Sequence, residues 1–545
     1  MTAIDYRDKR FLIVDSLKPS RDILKNLAFN LNPADVQASS YASDVLTKCA
    51  EQNFDIILLG YDLGEKQKNG QQLLEELRSE KLINRNTIVI LVTGELSQAM
   101  VLAALEHKPD DYLTKPYTIR ELSKRLHRCF VKRKIMSDIY TALDEEQSDQ
   151  VIKLCDQAIQ DGSPYTTECY GIKSRQHFNL EQYDIATDIY RAHRNISNCQ
   201  WATMGLGKIA LKKNKPLVAI EYFSQLKRKY PIYLSSYDWL ATAQEEILQF
   251  IAAEETLEEA ITISPLSVKR VQRYANLCLK NGHFDKATSA FEQNYLLSYN
   301  SIHHKPENAL KFAYAATEYS HDLTDFQRKT LKNKVFSALA ETVKTFDKMP
   351  TRLQSQLLTV DLMRKTNEVD FANKLLESTE KLLNKTQNDL KPEDGIEIAK
   401  LLIHLDRRPP ANTLINDIVQ NHHDRPGLMT EIDKLVDENH ENRAQKEAQA
   451  ALDRALTFYH NQEYNKSIIK LEEVRKLYPQ HLGIQLNLIQ VLLTYFEQDT
   501  SKVSLMRKAG ALLNRIDGLS TGNGAFQRQK ALELKFQRLS KLINS

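Results

Sequence analysis

Residues recur at an interval of 34 in the middle of this chain, and that interval constrains its fold more than any other feature. Pro231 and Pro265 keep it, as do Ala219, Ala253 and Ala287, then Leu206, Leu240 and Tyr274, then Phe223, Leu257 and Phe291. Gly207, Ala241 and Ala275 supply a small residue in each first helix. Two antiparallel helices need small residues where they cross, large apolar residues between them and a proline at the turn to the next pair. Such a unit cannot bury its apolar face alone, so successive units stack into an all-α superhelix.

The pattern extends unevenly. Tyr183, Ala186 and Tyr190 form a unit slightly out of phase before Trp201, and Cys155, Ala158 and Pro164 end an earlier one. Ala455, Phe458, Tyr464, Leu471, Val474 and Pro479 restate the motif, beginning around Ala448. Between 301 and 445 the helical spacing of Phe371, Leu375, Leu376, Leu382 and Leu383 persists without a dependable period, which reads as degenerate repeats continuing the superhelix. Breaks are expected at Tyr299 to Pro306, Lys391 to Asp394, Arg407 to Pro410 and His422 to Pro426. A loop from Asp517 to Gly524 precedes a last amphipathic helix that caps the stack.

The first 125 residues follow a different rule. Phe54 to Gly60 reads Phe-Asp-Ile-Ile-Leu-Leu-Gly, a short apolar run ending at a loop, as a buried parallel strand does. Arg10 to Asp15 is a second such strand, Thr87 to Thr93 a third and Asp111 to Lys115 a fourth, followed by Pro116. Their ends bring Asp15, Ser16, Gly60, Thr93 and Lys115 to one edge of an open sheet, where doubly wound folds bind ligands.

This constellation resembles the receiver domain of bacterial two-component response regulators. The resemblance implies a five-stranded α/β doubly wound parallel sheet, an acidic pair after the first strand, a phosphorylated aspartate after the third, a hydroxyl after the fourth and Lys-Pro after the fifth. Gly60 stands at the phosphoacceptor position and Ser16 at that of the second acid, while Thr93, Lys115 and the aromatic switch position at Tyr112 are kept. Asn69-Gly70 matches the usual Asp-Gly turn after a loop about two residues longer than the family's. Phosphoryl transfer to a carboxylate needs a nucleophilic oxygen and a divalent cation on several hard oxygens. With Asp15 the one remnant of the metal site, magnesium binding and a phosphorylation cycle are not expected. Asp62, two positions past Gly60, is the alternative acceptor. Lys115 is expected to pair with Asp15.

The 34-residue period is similar to that of tetratricopeptide repeats, which implies a surface for peptides or partner helices; Trp201, Tyr237, Tyr274 and Asn276 are candidates to line it. The units are then 1–125 (receiver-like), 126–142 (helical linker), 143–300 (repeats), 301–445 (degenerate repeats) and 446–545 (a last repeat with capping helices). The helix from Ile119 to Ile139 carries Arg120, Lys124, Arg125, Arg128, Lys132, Arg133 and Lys134, read as a solvated face. Residues 501 to 545 are also basic.

Composition fits this division. Among 545 residues there are 16 Gly and 15 Pro, few for the length, and the net charge is +3. The six cysteines lack CxxC spacing and read as core residues of a reducing compartment. A charged start and the lack of long apolar runs suggest a soluble, cytoplasmic protein. His303-His304 and His422-His423 carry little metal signal, and the chain has no second catalytic motif. The expected role is therefore non-enzymatic: a signalling adaptor that binds protein partners through its repeats with a phosphorylation-independent receiver domain, which also offers a dimerisation face. Nucleic-acid binding through the basic helix and tail, and switching through Asp62, are the alternatives.

Overall fold

The computed structural model describes residues 5–64, 67–94, 109–422, 425, 454–455, 457–459, 461–477, 482–514, 516 and 524–541. The sequence features at His423, Pro426, Ala448, Pro479 and 517–523 lie outside the described residues.

The N-terminal domain is a parallel sheet in the order β2-β1-β3-β4-β5. Its strands are β1 (Arg10–Val14), β2 (Asp35–Ser39), β3 (Ile56–Gly60), β4 (Ile88–Thr93) and β5 (Asp111–Thr114). All of β3 and β4 is buried, because helices cover both faces of the sheet. Leu12, Ile57, Leu59 and Leu91 share one core with Val45 of α2 (Ala42–Glu51) and Leu73 of α3 (Gly70–Ser79). Phe11, Ile13, Leu58 and Ile90 share the other with Leu24 of α1 (Lys18–Phe29) and Leu122 of α4 (Ile119–Asp144). Alternation along each strand thus divides the sheet's side chains between two layers. β2 escaped the apolar-run reading because Asp-Val-Gln-Ala-Ser is a half-buried edge strand.

Helix α4 runs without interruption from the receiver-like domain into the helical region, so residues 126–142 are part of it and not a separate linker. Thr118 opens it with a capping box: the Glu121 amide donates to Thr118 Oγ1, and the Thr118 amide donates to Glu121 Oε2.

Helices then follow in sequence: α5 (Ser148–Gln160), α6 (Thr166–Asn179), α7 (Tyr183–His193), α8 (Gln200–Lys212), α9 (Pro216–Lys229), α10 (Ser235–Glu246), α11 (Phe250–Ile263), α12 (Val268–Asn281) and α13 (Phe284–Ser298). Each packs on its neighbours in the chain. Small residues set the crossings: a Cβ on Gly207 would meet the Phe223 ring at 2.3 Å, and Ala241 and Ala275 are fully buried.

Beyond 300 the hairpin pattern holds through α14 (Pro306–Tyr319), α15 (Asp325–Phe346), α16 (Met349–Lys365), α17 (Val369–Thr386), α18 (Pro392–His404) and α19 (Arg408–His422). Alternate helices α14, α16 and α18 are neighbours. The last hairpins, α20 (Tyr464–Leu477), α21 (Leu482–Gln498), α22 (Val503–Leu513) and α23 (Gly524–Ser540), do more than prolong the stack. Their core includes Ile247, with Leu217, Ile220 and Leu248 packed against it, so this segment returns to the middle of the array. Burying those apolar side chains is the physical reason. Among the described residues no helix is long and apolar enough to cross a membrane.

Candidate functional site

Because β1, β3, β4 and β5 are parallel neighbours, their C-terminal ends share one edge. Asp15 lies there, 1% exposed. Its Oδ2 accepts hydrogen bonds from Lys115 Nζ at 2.7 Å and Ser20 Oγ at 2.6 Å, and its Oδ1 accepts one from the Leu17 amide at 3.0 Å. The expected Asp15–Lys115 pair is present. Arg21, one turn into α1, donates from Nη1 to the carbonyls of Asp15 and Ser16 at 2.7 and 2.9 Å. No motif signalled Arg21; only the path of α1 over the sheet edge brings it in.

Gly60 does more than lack a nucleophile. A Cβ built on it would lie 2.9 Å from the Val14 carbonyl oxygen and 3.3 Å from Asp15 Cα, so the space for a side chain is closed by backbone. The following loop is tied by Tyr61 N to Val92 O at 2.8 Å and Gly70 N to Tyr61 O at 2.7 Å. Asp62 stays in that loop: its Oδ1 accepts from Gly64 N at 2.9 Å, and its carbonyl accepts from Ser16 Oγ at 3.1 Å. Thr93 is buried at the end of β4. Tyr112 is half-buried, its hydroxyl enclosed without a hydrogen-bond partner among the described residues, and desolvation, with Asp111 nearby, pushes its phenol pKa up.

A divalent cation such as magnesium takes a near-octahedral set of hard oxygens. Here Asp15 has its Oδ2 already bonded to an ammonium and a hydroxyl, and Arg21 occupies two adjacent carbonyls. These donors do not fit such an ion.

The basic face of α4 is less free than its composition suggests. Arg125 Nη1 lies 2.7 Å from Asp111 Oδ1, Arg128 pairs with the same carboxylate, Arg133 pairs with Asp110, and Lys132 Nζ lies 2.8 Å from Glu168. The face is solvated as read at Arg128, which stays exposed, while Arg133 is largely covered; the acids at the start of β5 and on α6 lie beside all four. Of the residues proposed to line the solenoid, Tyr237 and Tyr274 are core, Trp201 is half-buried, and Asn276 is exposed and accepts from Lys311 Nζ at 2.9 Å. The two histidines at 303 and 304 diverge. His303 Nε2 lies 2.9 Å from Glu75, while His304 sits between the rings of Tyr299 and Phe346, and burial lowers its pKa.

Two groupings were invisible to sequence reasoning. First, α3 is docked on the helical region: Gln72 Nε2 donates to the carbonyls of Leu297 and Tyr299 at 3.3 and 3.2 Å, and Glu75 pairs with Lys269 at 3.2 Å besides His303. Second, Glu318 of α14, Asp361 of α16 and His404 of α18 converge. His404 Nε2 lies 3.2 Å from Glu318 and 3.0 Å from Asp361, and Lys365 Nζ lies 2.7 Å from Glu318. Three donors of this type can hold a metal. With Lys365 already among them the cluster is a balanced ion network of two acids and two bases. Hydrogen bonds to Asp361 and Glu318 push His404 up to about 9, and those from His404 and Lys365 hold Glu318 down to about 2.

Comparison with known proteins agrees with the geometry of the sheet edge. The profile of the response regulator receiver domain matches residues 11–127. Chemotaxis protein CheY homologs of Campylobacter jejuni subsp. jejuni, from strains 81-176 and 81116, are each 32% identical over 120 residues, covering 22% of this chain and 88% of theirs. Among solved structures, a CheY-like receiver domain protein from Methanospirillum hungatei JF-1 is 24% identical over 23% of this chain and 97% of its own, with a TM-score of 0.22. The Francisella response regulator 1452 receiver domain is 25% identical over 23% of this chain and 98% of its own, with a TM-score of 0.21. Strand order, the Asp15–Lys115 pair and this similarity converge: through residues 11–127 the chain belongs to the response regulator receiver family.

Proposed function

We propose that this protein is a non-enzymatic signalling adaptor whose receiver domain works without phosphorylation. The observation that carries the reading is the closure at Gly60, where backbone from β1 occupies the space of an acceptor side chain. The Asp15–Lys115 pair supports it, because the lysine that would receive a phosphoryl oxygen is already neutralised. Magnesium has no role in this reading.

The helical region is then a scaffold of tetratricopeptide-type repeats that holds a peptide or a helix of a protein partner. The 34-residue interval and the buried small residues Ala241 and Ala275 at successive crossings support this. The receiver domain positions the scaffold and offers a face for a second copy of the chain. A cytoplasmic setting follows from this role. Nucleic-acid binding through α4 is disfavoured, because Arg125, Arg128, Lys132 and Arg133 already face acids. Switching through Asp62 is disfavoured by its bond to the Gly64 amide.

Incubation with acetyl phosphate and magnesium, followed by intact mass, tests the core of this reading. An unchanged mass is expected; a stable acyl-phosphate on Asp62 overturns it. Affinity capture with the full chain and with a chain lacking residues 1–125 then separates partners of the repeats from those of the receiver domain.

A further inference from the structure

Asp361 is 6% exposed, yet its Oδ2 is enclosed without a complete hydrogen bond among the described residues. Asp15 differs, for three donors serve its carboxylate. A buried carboxylate oxygen left short of donors calls for an ion or a water to complete it. The charged groups that approach Asp361 Oδ2 are His404 Nε2 at 3.0 Å and Lys365 Nζ at 3.8 Å, and the second distance is too long for a hydrogen bond.

One imidazole nitrogen cannot satisfy both acids that converge on it. His404 Nε2 also lies 3.2 Å from Glu318 Oε1, and a protonated ring has a single hydrogen there for two carboxylates. A divalent cation has no such limit, since it takes a lone pair from each donor. Glu318, Asp361 and His404 each offer one ligand atom, and these atoms lie within 4.8 Å of one another. Among the described residues no other three His, Cys, Asp or Glu side chains do so. A tetrahedral ion with bonds of about 2.0 Å holds its ligands about 3.3 Å apart, so the observed separations from Nε2 need little change.

The three donors come from α14, α16 and α18, alternate helices that pack on one another. The Tyr314 ring, 5.6 Å from the His404 ring, flanks the imidazole. Asp361 is buried and His404 exposed, so an ion has a way in from solvent. Lys365 is the competitor for the site. Its Nζ lies 2.7 Å from Glu318 Oε1, but it is carried on a flexible four-carbon stem. One nitrogen and two oxygens suit zinc better than magnesium or calcium, which take sets of oxygens.

We propose that Glu318, Asp361 and His404 form a zinc site that clamps α14, α16 and α18 in the region where the 34-residue period fails. The ion takes the place of the His404 proton and completes Asp361 Oδ2, and Lys365 becomes an outer partner of Glu318. The site belongs to the helical region alone, so it stands whether or not the receiver domain is phosphorylated.

Full-length protein stripped with EDTA is titrated with zinc chloride by calorimetry, and cobalt(II) replaces zinc for a visible spectrum that reports nitrogen and oxygen ligands. The expected result is one saturable zinc site and a melting temperature raised by zinc but not by magnesium at the same concentration. His404→Gln is expected to weaken zinc binding by roughly tenfold or more and to remove the cobalt band, since losing a ligand costs at least as much as losing an outer partner. Lys365→Met is expected to bind zinc more tightly, because no ammonium then competes for Glu318; a cluster that serves only as an ion network gives no such gain. This variant keeps all three ligands, so its result stands even where His404→Gln loses helix. The proposal is overturned if the parent protein shows no zinc site at micromolar concentration. Affinity unchanged in His404→Gln, or no tighter in Lys365→Met than in the parent, also overturns it.

Discussion

Asp15 and Asp361 are both buried carboxylates, and their surroundings differ in a way that separates the two halves of the molecule. Asp15 ends a strand at a position that the receiver fold always brings to the sheet edge, and its partner Lys115 sits 100 residues away in sequence. Asp361 lies within a helix and meets Glu318, His404 and Lys365 because three hairpins stack in register. The first cluster pairs one carboxylate with one ammonium and a hydroxyl at the sheet edge. The second balances its charges and ties α14, α16 and α18 together. A sheet edge keeps its ionic residues for position; a stack of hairpins uses them for cohesion.

The largest effect in this comparison is expected at Asp361. Asp361→Ala leaves His404 and Lys365 facing Glu318 alone, and removing one member of a buried ionic network costs about 3 kcal/mol. Urea denaturation followed by circular dichroism is expected to show an earlier transition for the helical region. A midpoint equal to the parent's would mean that the cluster does not bind the hairpins together.

Gly60→Asp comes next. Forcing a side chain against the Val14 carbonyl costs about 2 kcal/mol in an already packed site. The variant is expected to unfold at lower temperature and to remain unmodified by acetyl phosphate and magnesium. Acquired phosphate would show that the backbone can reopen.

The pH dependence of stability sharpens the contrast further. Glu318 is held down from 4.5 to about 2, so its contribution is complete above pH 4.5 and is lost as pH falls towards 2. His404 is raised from 6.5 to about 9, so its contribution is complete below pH 6.5 and is lost as pH rises through 9. Thermal melts are expected to show the helical region most stable between pH 4.5 and 6.5. His404→Gln is expected to flatten the alkaline decline; an unchanged alkaline limb would assign it to other groups.

The smallest effect belongs to the contact between the halves. Glu75→Gln weakens partly exposed pairs with Lys269 and His303, which are worth less than about 1 kcal/mol. Global stability is expected to stay within error while amide exchange in α3 accelerates. Exchange unchanged in α3 would mean that the Glu75 pairs do not hold α3 against the helical region.

Much of the receiver domain was legible beforehand. The apolar runs at Leu12, Ile57 and Val89 mark strands buried on both faces, and their terminal residues, from Asp15 to Lys115, mark the pocket. β2 was not legible, because an edge strand needs no apolar run. Nor was the closure at Gly60, since a glycine in sequence says what is missing and not what has moved into its place. In the helical region the small residues at the crossings were readable, whereas the return of the last hairpins onto Leu217 and Ile220 depends on distant apolar surfaces meeting.

The order of residues by itself determined the two kinds of architecture, because strand burial and helix crossing each impose a short-range period on the chain. It also determined that Gly60 carries no carboxylate at the end of β3. Tertiary structure alone decided which charges face one another: Arg21 over Asp15, Arg128 with Asp111, and His404 between Glu318 and Asp361. The physical reason is range. Backbone periodicity is written in neighbours a few residues apart, whereas these ion pairs form between side chains whose distance is set only when whole elements pack.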